Sequence, residues 1–446
     1  MLRSVPEHRG NPRGGPLDAM HLKQQGMLPS YTELHRAMKP TLRDYLGISL
    51  FWFALSFFWG AVLILVLPDR VEQLVGSQEK DRVLAIVTSI GAFVASATQI
   101  LFGAISDRSR HRMGRRRPYL IVGTVLTTIA LFAFPAARTA WTLMGVYIII
   151  QFFLNVANGP YQALIPDRIP WQYHGTASAW MGICTLLGRI GGPFAASLLL
   201  GSERGLFWLM VLFALFLNAF MLLNVWLIRE EPYTGNAPTL WEAITSSYRV
   251  PLKPYPSFVW LLVSRLAIMM GIYTVNFCLL YYLRDTLGYR EEAFQLITNL
   301  MILSTVTGIL GTIPAGKLAD RYSKRLILAL SCLICLVAGI GFLFATDLRV
   351  VYIAVGIFGA GFGVFQAVDW ALACNLLSEE APAKYMGVWG IADTLPQVIA
   401  PLIAGPIAYA INKQVQMGAG YRALMVLAMV YWAIGTVVIR YIRERR

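Results

Sequence analysis

Twelve apolar runs of about 20 residues each divide this chain, and a run of that length matches the ~30 Å hydrocarbon core of a bilayer at 1.5 Å per helical residue. They cover 46–67, 83–105, 118–135, 141–165, 177–200, 206–228, 258–283, 293–315, 326–345, 349–376, 386–411 and 421–440. Hydrophobic residues make up 57% of the chain and charged ones 14%, and the mean hydropathy is +0.58. A water-soluble globule cannot hide that much apolar surface, so the bilayer is the solvent. Backbone polar groups have no partner in lipid, which leaves helices as the form for spans of this length. The expectation is an all-α polytopic membrane protein with twelve transmembrane helices.

Lys and Arg are retained on the cytoplasmic side of a membrane, so their distribution orients the spans. The N-tail, the loops that follow even-numbered runs and the C-tail hold 26 of the 38; the other loops hold 10, and Arg189 and Arg265 fall inside runs. Both termini are therefore expected in the cytoplasm. The same placement explains the net charge of +14 without nucleic acid, because the excess lies beside helix ends. Residues 1–44 mix Pro, Gly, Arg and Gln with no apolar period and read as a disordered tail. No cleavable leader is visible ahead of Leu46. Five cysteines, at 184, 278, 332, 335 and 374, all fall within apolar runs, which argues against a disulfide framework. Cys332 and Cys335 lack a second pair or a His to complete a metal set, and no Walker loop or Ser-His-Asp group is present. No metal, cofactor or enzymatic activity is expected, and ATP-driven transport is disfavoured.

The chain is internally duplicated. Gly103-Ala-Ile-Ser-Asp107-Arg108 after the second run is matched by Gly316-Lys-Leu-Ala-Asp320-Arg321 after the eighth. Basic residues follow each turn, among them Arg115 in the first copy and Arg325 in the second. Gly159-x-x-Gln162-Ala163 in the fourth run matches Gly363-x-x-Gln366-Ala367 in the tenth, and Gly182 and Pro193 in the fifth match Gly390 and Pro401 in the eleventh. The order is shared, so two related six-helix bundles are expected at 45–228 and 258–440. A polar, Pro-rich cytoplasmic linker at 229–257 separates them, and a short C-tail at 441–446 ends the chain. In the paired turns Gly lets helices approach, Asp can accept bonds from a neighbouring helix N-terminus, and Arg can form a charge-assisted contact. Gly103, Asp107, Arg108, Arg115, Gly316, Asp320 and Arg321 are accordingly candidate gating residues; for the basic run, fixing topology is the competing role.

The paired turns resemble the loop signature of the major facilitator superfamily. Gly103 to Arg108, followed by Gly114-Arg-Arg-Arg-Pro-Tyr119, and Asn155-Val-Ala-Asn-Gly-Pro-Tyr-Gln-Ala-Leu-Ile-Pro-Asp167 are similar to blocks of its glycoside-pentoside-hexuronide:cation symporters, above all the sucrose-carrier branch. The resemblance covers roughly 44–440 and implies uptake of a disaccharide or related glycoside together with protons, at a plasma or bacterial inner membrane, by a monomer. Sucrose carriers have an acidic residue eight positions before that Gly-Pro and Arg after it. Here the two places hold Gln151 and Gln162.

Ionisable groups cost at least ~2.5 kcal/mol each in hydrocarbon and face a cavity or a partner. Arg265, Asp369 and Asp393 all lie about 10 Å from the cytoplasmic face by helical rise, so they can meet; Arg189 lies near the midplane. Asp369 or Asp393 is either a proton carrier released from Arg265 or half of a permanent ion pair. Arg189 either binds an anionic solute or pairs with Asp393. Sugar hydroxyls call for amides beside aromatic rings. Gln151, Asn155, Asn158 and Gln162 share one face of the fourth helix, and Asn276, Gln366 and Gln397 add amides from the other half, with interhelix bonding as the competing role. The function expected is secondary active import of a sugar or glycoside, sucrose-like first, by alternating access with proton symport. Alternatives are a uniporter, a carrier of a hexuronide or other small solute, a drug exporter, or a sensor or delivery protein on the same fold.

Overall fold

The computed structural model describes residues 40–169, 173–202, 204–228, 230, 239, 255–376 and 382–443. The tail up to residue 39 and most of the linker lie outside the described residues. Everything described in between is helix and short connection. In chain order the helices are α1 (Leu42–Ala61), α2 (Leu67–Asp107), α3 (Arg117–Ala133), α4 (Ala140–Gln162), α5 (Leu164–Arg168), α6 (His174–Leu199), α7 (Gly205–Leu227), α8 (Pro256–Tyr281), α9 (Ala293–Arg321), α10 (Lys324–Phe344), α11 (Leu348–Leu376), α12 (Pro382–Gln414) and α13 (Ala419–Val438). A π turn, Val62–Val66, joins α1 to α2, and another, Tyr282–Thr286, extends α8.

Ten helical stretches among the described residues are long and apolar enough to cross a membrane. One of them, Leu42–Asp107, is 66 residues long, which as a straight helix would measure about 99 Å, more than three times the hydrocarbon core. It is not straight: Gly76 sits at φ 73°, ψ 175°. Glu72 and Lys80, eight positions apart on either side of it, form an ion pair of 2.8 Å. The chain therefore turns back at Gly76. Arg117–Ala133 is apolar but only 17 residues long.

Packing follows the small residues. α4 lies against α2 and α3, α6 against α1, α11 against α9 and α10, and α13 against α8 and α10. The duplicated Gly-x-x-Gln-Ala motif has a physical reason here. A Cβ on Gly159 of α4 would stand 2.4 Å from the Gln99 carbonyl oxygen of α2, and one on Gly363 of α11 would stand 2.1 Å from the Gly308 oxygen of α9. Lipid offers no hydrophobic drive between helices, so close backbone approach supplies the attraction. Between the first six apolar runs and the last six, α12 packs on α2, α9 on α6, and α8 on the π turn after α1.

Candidate functional site

Three clusters of polar side chains interrupt the apolar packing. The deepest is built on α8, α11 and α12. The Arg265 guanidinium donates from one terminal nitrogen to Asp369 Oδ2, and its other terminal nitrogen lies 3.3 Å from Asp393 Oδ1. Its flat face lies 4.5 Å over the Trp389 ring, which covers the cation with π density. The two acids differ. The Asp369 side chain is 0% exposed, whereas that of Asp393 is 43% exposed. Asp369 Oδ1 is buried with no hydrogen-bond partner among the described residues. Helical rise allowed these three groups to meet, and Arg265 contacts both acids.

Near this triad stands Tyr273 of α8, in electrostatic reach of Arg189, Arg265 and Asp393, while Gln397 Nε2 donates to the Asp393 carbonyl at 3.4 Å. Arg189 of α6 is exposed and forms no ion pair or hydrogen bond among the described residues. Of its two alternatives, the pairing with Asp393 is not formed in this conformation; Arg265 holds that carboxylate. The amides are distributed unevenly. Gln151 and Asn155 are buried and bonded within their own helix, Gln151 Nε2 donating to the Tyr147 hydroxyl at 2.8 Å and Asn155 Nδ2 to the Gln151 carbonyl at 2.8 Å. Asn158 and Asn276 are half-buried, and Gln162 and Gln366 are exposed. The Trp370 side chain lies outside the described residues.

The second cluster surrounds the Gly103–Arg108 turn. Its centre is Arg116, which neither the paired-turn pattern nor the candidate residues singled out. Arg116 reaches Asp107 at 2.5 Å and Asp167 of α5 at 3.0 Å, and donates to the Ser106 hydroxyl. Arg115 takes the other approach to Asp167 at 3.2 Å, while Arg108 is exposed. The acceptor at the α3 N-terminus is also not the expected one. Glu230 Oε2 accepts from the backbone N–H of Arg116 at 2.8 Å and of Arg117 at 3.4 Å, leaving Asp107 for the guanidinium. Gly114 makes room for this. It has φ 100°, and a Cβ there would lie 2.2 Å from Glu230 Cβ. In the second copy, the surroundings of Gly316 and the side chains of Asp320 and Arg321 lie outside the described residues.

The third cluster lies at the end of the molecule where Gly76 turns the chain, and sequence reading had only counted its basic residues among those of the loops. Lys80 is 0% exposed and bonds Glu72 at 2.8 Å and Asp285 of the π turn after α8; its ammonium lies 4.1 Å from the Tyr281 ring centre. Arg284 joins Asp69 and Glu72, both at 2.9 Å. Asp81 accepts from Asn412 Nδ2 at 3.0 Å and from the Tyr421 hydroxyl at 3.0 Å. Tyr281 donates to the Pro68 carbonyl at 2.9 Å and Ser89 to that of Val398 at 3.0 Å. Every one of these contacts except Glu72 to Lys80 joins a residue before position 90 to one after 280. No spacing motif could have flagged them, because partners more than 200 residues apart meet only through the fold.

Helices long and apolar enough to cross a bilayer, with ion pairs buried between them and a polar cluster joining the two halves of the chain at one end, mark a polytopic membrane protein. The family model of the Major Facilitator Superfamily matches residues 44–401, and the chain belongs to that superfamily of transporters. An uncharacterised transporter of this type from Methanocaldococcus jannaschii is 20% identical over 338 residues, covering 72% of this chain and 78% of the relative. A sucrose transport protein of Oryza sativa is 22% identical over 414 residues, covering 72% and 75% of the two chains. Another from Arabidopsis thaliana is 28% identical over 188 residues, 33% and 31% of the two. Among solved structures, a mutant of the nucleoside transporter NupG superposes with a TM-score of 0.71 at 14% identity, over 90% of this chain and 100% of that one. A bacterial homologue of the human lysosomal transporter Spinster, inward-facing and unoccupied, gives 0.71 at 15% identity, over 90% and 97%.

Proposed function

We propose that the protein imports a sugar or glycoside, a sucrose-like disaccharide first, by alternating access with a proton as co-substrate. Dividing the 66-residue helix at Gly76 and counting Arg117–Ala133 gives twelve crossings, grouped as the bundles 45–228 and 258–440 with both termini in the cytoplasm. The seal around Lys80 then closes the extracytoplasmic end, and the site lies near the bilayer midplane between the bundles. The sucrose transport proteins among the relatives support the choice of solute.

The observation that carries the coupling is the asymmetry around Arg265. A carboxylate with no exposed surface, one oxygen held by a guanidinium and the other with no described partner, is a costly anion. A proton on Asp369 Oδ1 removes that cost and weakens the hold on Arg265. Asp393, partly exposed beside Tyr273 and Gln397, is the route by which water or a solute hydroxyl reaches the pair. Gln151 stands where the sucrose-carrier pattern has an acid, so proton sensing moves to these C-terminal acids.

Counterflow in proteoliposomes tests the reading, using panels of disaccharides, monosaccharides and hexuronides. Exchange of a neutral disaccharide, with uphill uptake on an imposed pH gradient, is the expected result. Export of cationic drugs with no exchange of any sugar in the panel would overturn it. A second reading, a carrier of an acidic solute, is favoured by one feature, the exposed Arg189 with no ion pair among the described residues; the hexuronide arm of the panel decides between the two.

A further inference from the structure

We propose that Lys80 and Asp285 form a releasable gate whose charges exist to let it open, so that they weaken the closed state relative to an apolar seal of the same shape. This rests on the alternating-access reading. Both side chains are 0% exposed, and both are ions taken out of water when the end closes. Their mutual attraction repays that desolvation only in part; a well-packed apolar pair closes such a contact as well or better. When the helices part, both charges recover their hydration, and the closed and open states stay close in free energy. An apolar seal regains nothing on opening and stays shut.

The neighbours make this pair the switch. Glu72 keeps Arg284 at 2.9 Å if Lys80 is lost, and Arg290, which bonds Asp285 at 2.9 Å, has a side chain 63% exposed and is hydrated without it. Removing both ions takes from the buried Asp81 the attraction of Lys80 and the repulsion of Asp285 together, so the two losses offset each other. Removing one ion does not balance: Asp285 without Lys80 keeps the water-facing Arg290 while Asp81 loses its cation, and Lys80 without Asp285 keeps Glu72, which Arg284 already shares, and the Asp81 charge. The network is otherwise built to persist, since Asp81, Asn412 and Tyr421 close a second, mostly neutral layer beside it.

The test is the rate at which a membrane-impermeant maleimide labels Asn276→Cys, five residues before Tyr281 on α8, in the full chain reconstituted into liposomes. Reagent is applied to the seal face and to the opposite face, with the chain lacking that substitution as blank. Lys80→Met and Asp285→Asn are expected to raise labelling from the seal face on the order of tenfold or more, while Lys80→Met with Asp285→Leu is expected to lower it below the unsubstituted gate and to slow exchange in parallel. Lys80→Gln stands in should Lys80→Met fail to fold, and labelling from the opposite face verifies folding in every variant. A double variant that labels from the seal face as fast as either single one overturns the proposal, because the ions would then be net adhesive. Labelling needs no sugar, so a failure of the sugar assignment leaves this result readable; a gate that never labels from the seal face in any variant sinks the alternating-access reading itself.

Discussion

At the residue scale, the two acids on Arg265 illustrate how burial separates identical groups. Asp369 has no contact with solvent and Asp393 has substantial contact, so a negative charge costs far more at the first than at the second once Arg265 moves away. Asp369→Asn is expected to abolish accumulation driven by a pH gradient while preserving substrate exchange, the amide imitating the protonated acid. Uphill uptake that survives in both Asp369→Asn and Asp393→Asn would move the coupling elsewhere. Arg265→Gln should be worse tolerated than either, since it leaves a buried carboxylate without its cation, a loss of about 3–5 kcal/mol; thermal unfolding in detergent reads it. Around the other cluster Arg116, not Arg108, holds the Asp107 carboxylate. Asp107→Asn and Arg116→Gln are therefore expected to slow flux together while shifting substrate affinity only several-fold, whereas Arg108→Gln leaves flux near the unsubstituted rate. Initial rates of exchange over a range of substrate concentrations separate these outcomes.

At the element scale, helix contact is decided by the absence of side chains as much as by their presence. Gly159 and Gly363 occupy matching places in the two halves because α4 meets the α2 backbone, and α11 the α9 backbone, at distances that admit no Cβ. Gly363→Val is expected to force α9 and α11 apart and cost about 1–3 kcal/mol, read as a fall in the unfolding temperature, with Gly159→Val behaving alike on α2 and α4. Gly145→Ala, inside α4 where a Cβ meets nothing within 4 Å, is the control and should not lower stability, since Ala favours the helix over Gly. The Glu230 clamp is an element-scale device of a different kind. It satisfies the orphan N–H groups of α3 with a carboxylate from just beyond α7, tying the start of the polypeptide that leads to the second half to the turn after α2.

At the scale of the whole molecule, the described helices meet across the two halves of the chain through the seal around Lys80, the α9 to α6 contact and the α12 to α2 contact. The sequence by itself determined that this is a multi-pass helical membrane protein of the major facilitator superfamily, because apolar run length answers to bilayer thickness and the duplicated Gly-x-x-x-Asp-Arg turn is local. It also brought Arg265, Asp369 and Asp393 to one level, because helical rise converts residue number into depth. It weighed the run Arg115 to Arg117 for gating but did not single out Arg116, which is one basic residue among three in a row until the backbone turn at Gly114 aims it at Asp107 and Asp167. It counted Lys80 and Arg284 only among the basic residues of loops and gave Glu72, Asp81 and Asp285 no role, because single-chain spacing carries no record of which loop faces which. Only the tertiary structure decided that these ions are buried against one another, that Asp393 meets Arg265 rather than Arg189, and that Gln151 and Asn155 turn into their own helix. Depth is a property of one helix, whereas partnership across two halves depends on the angle and register at which helices pack, which side chains distant in sequence fix together.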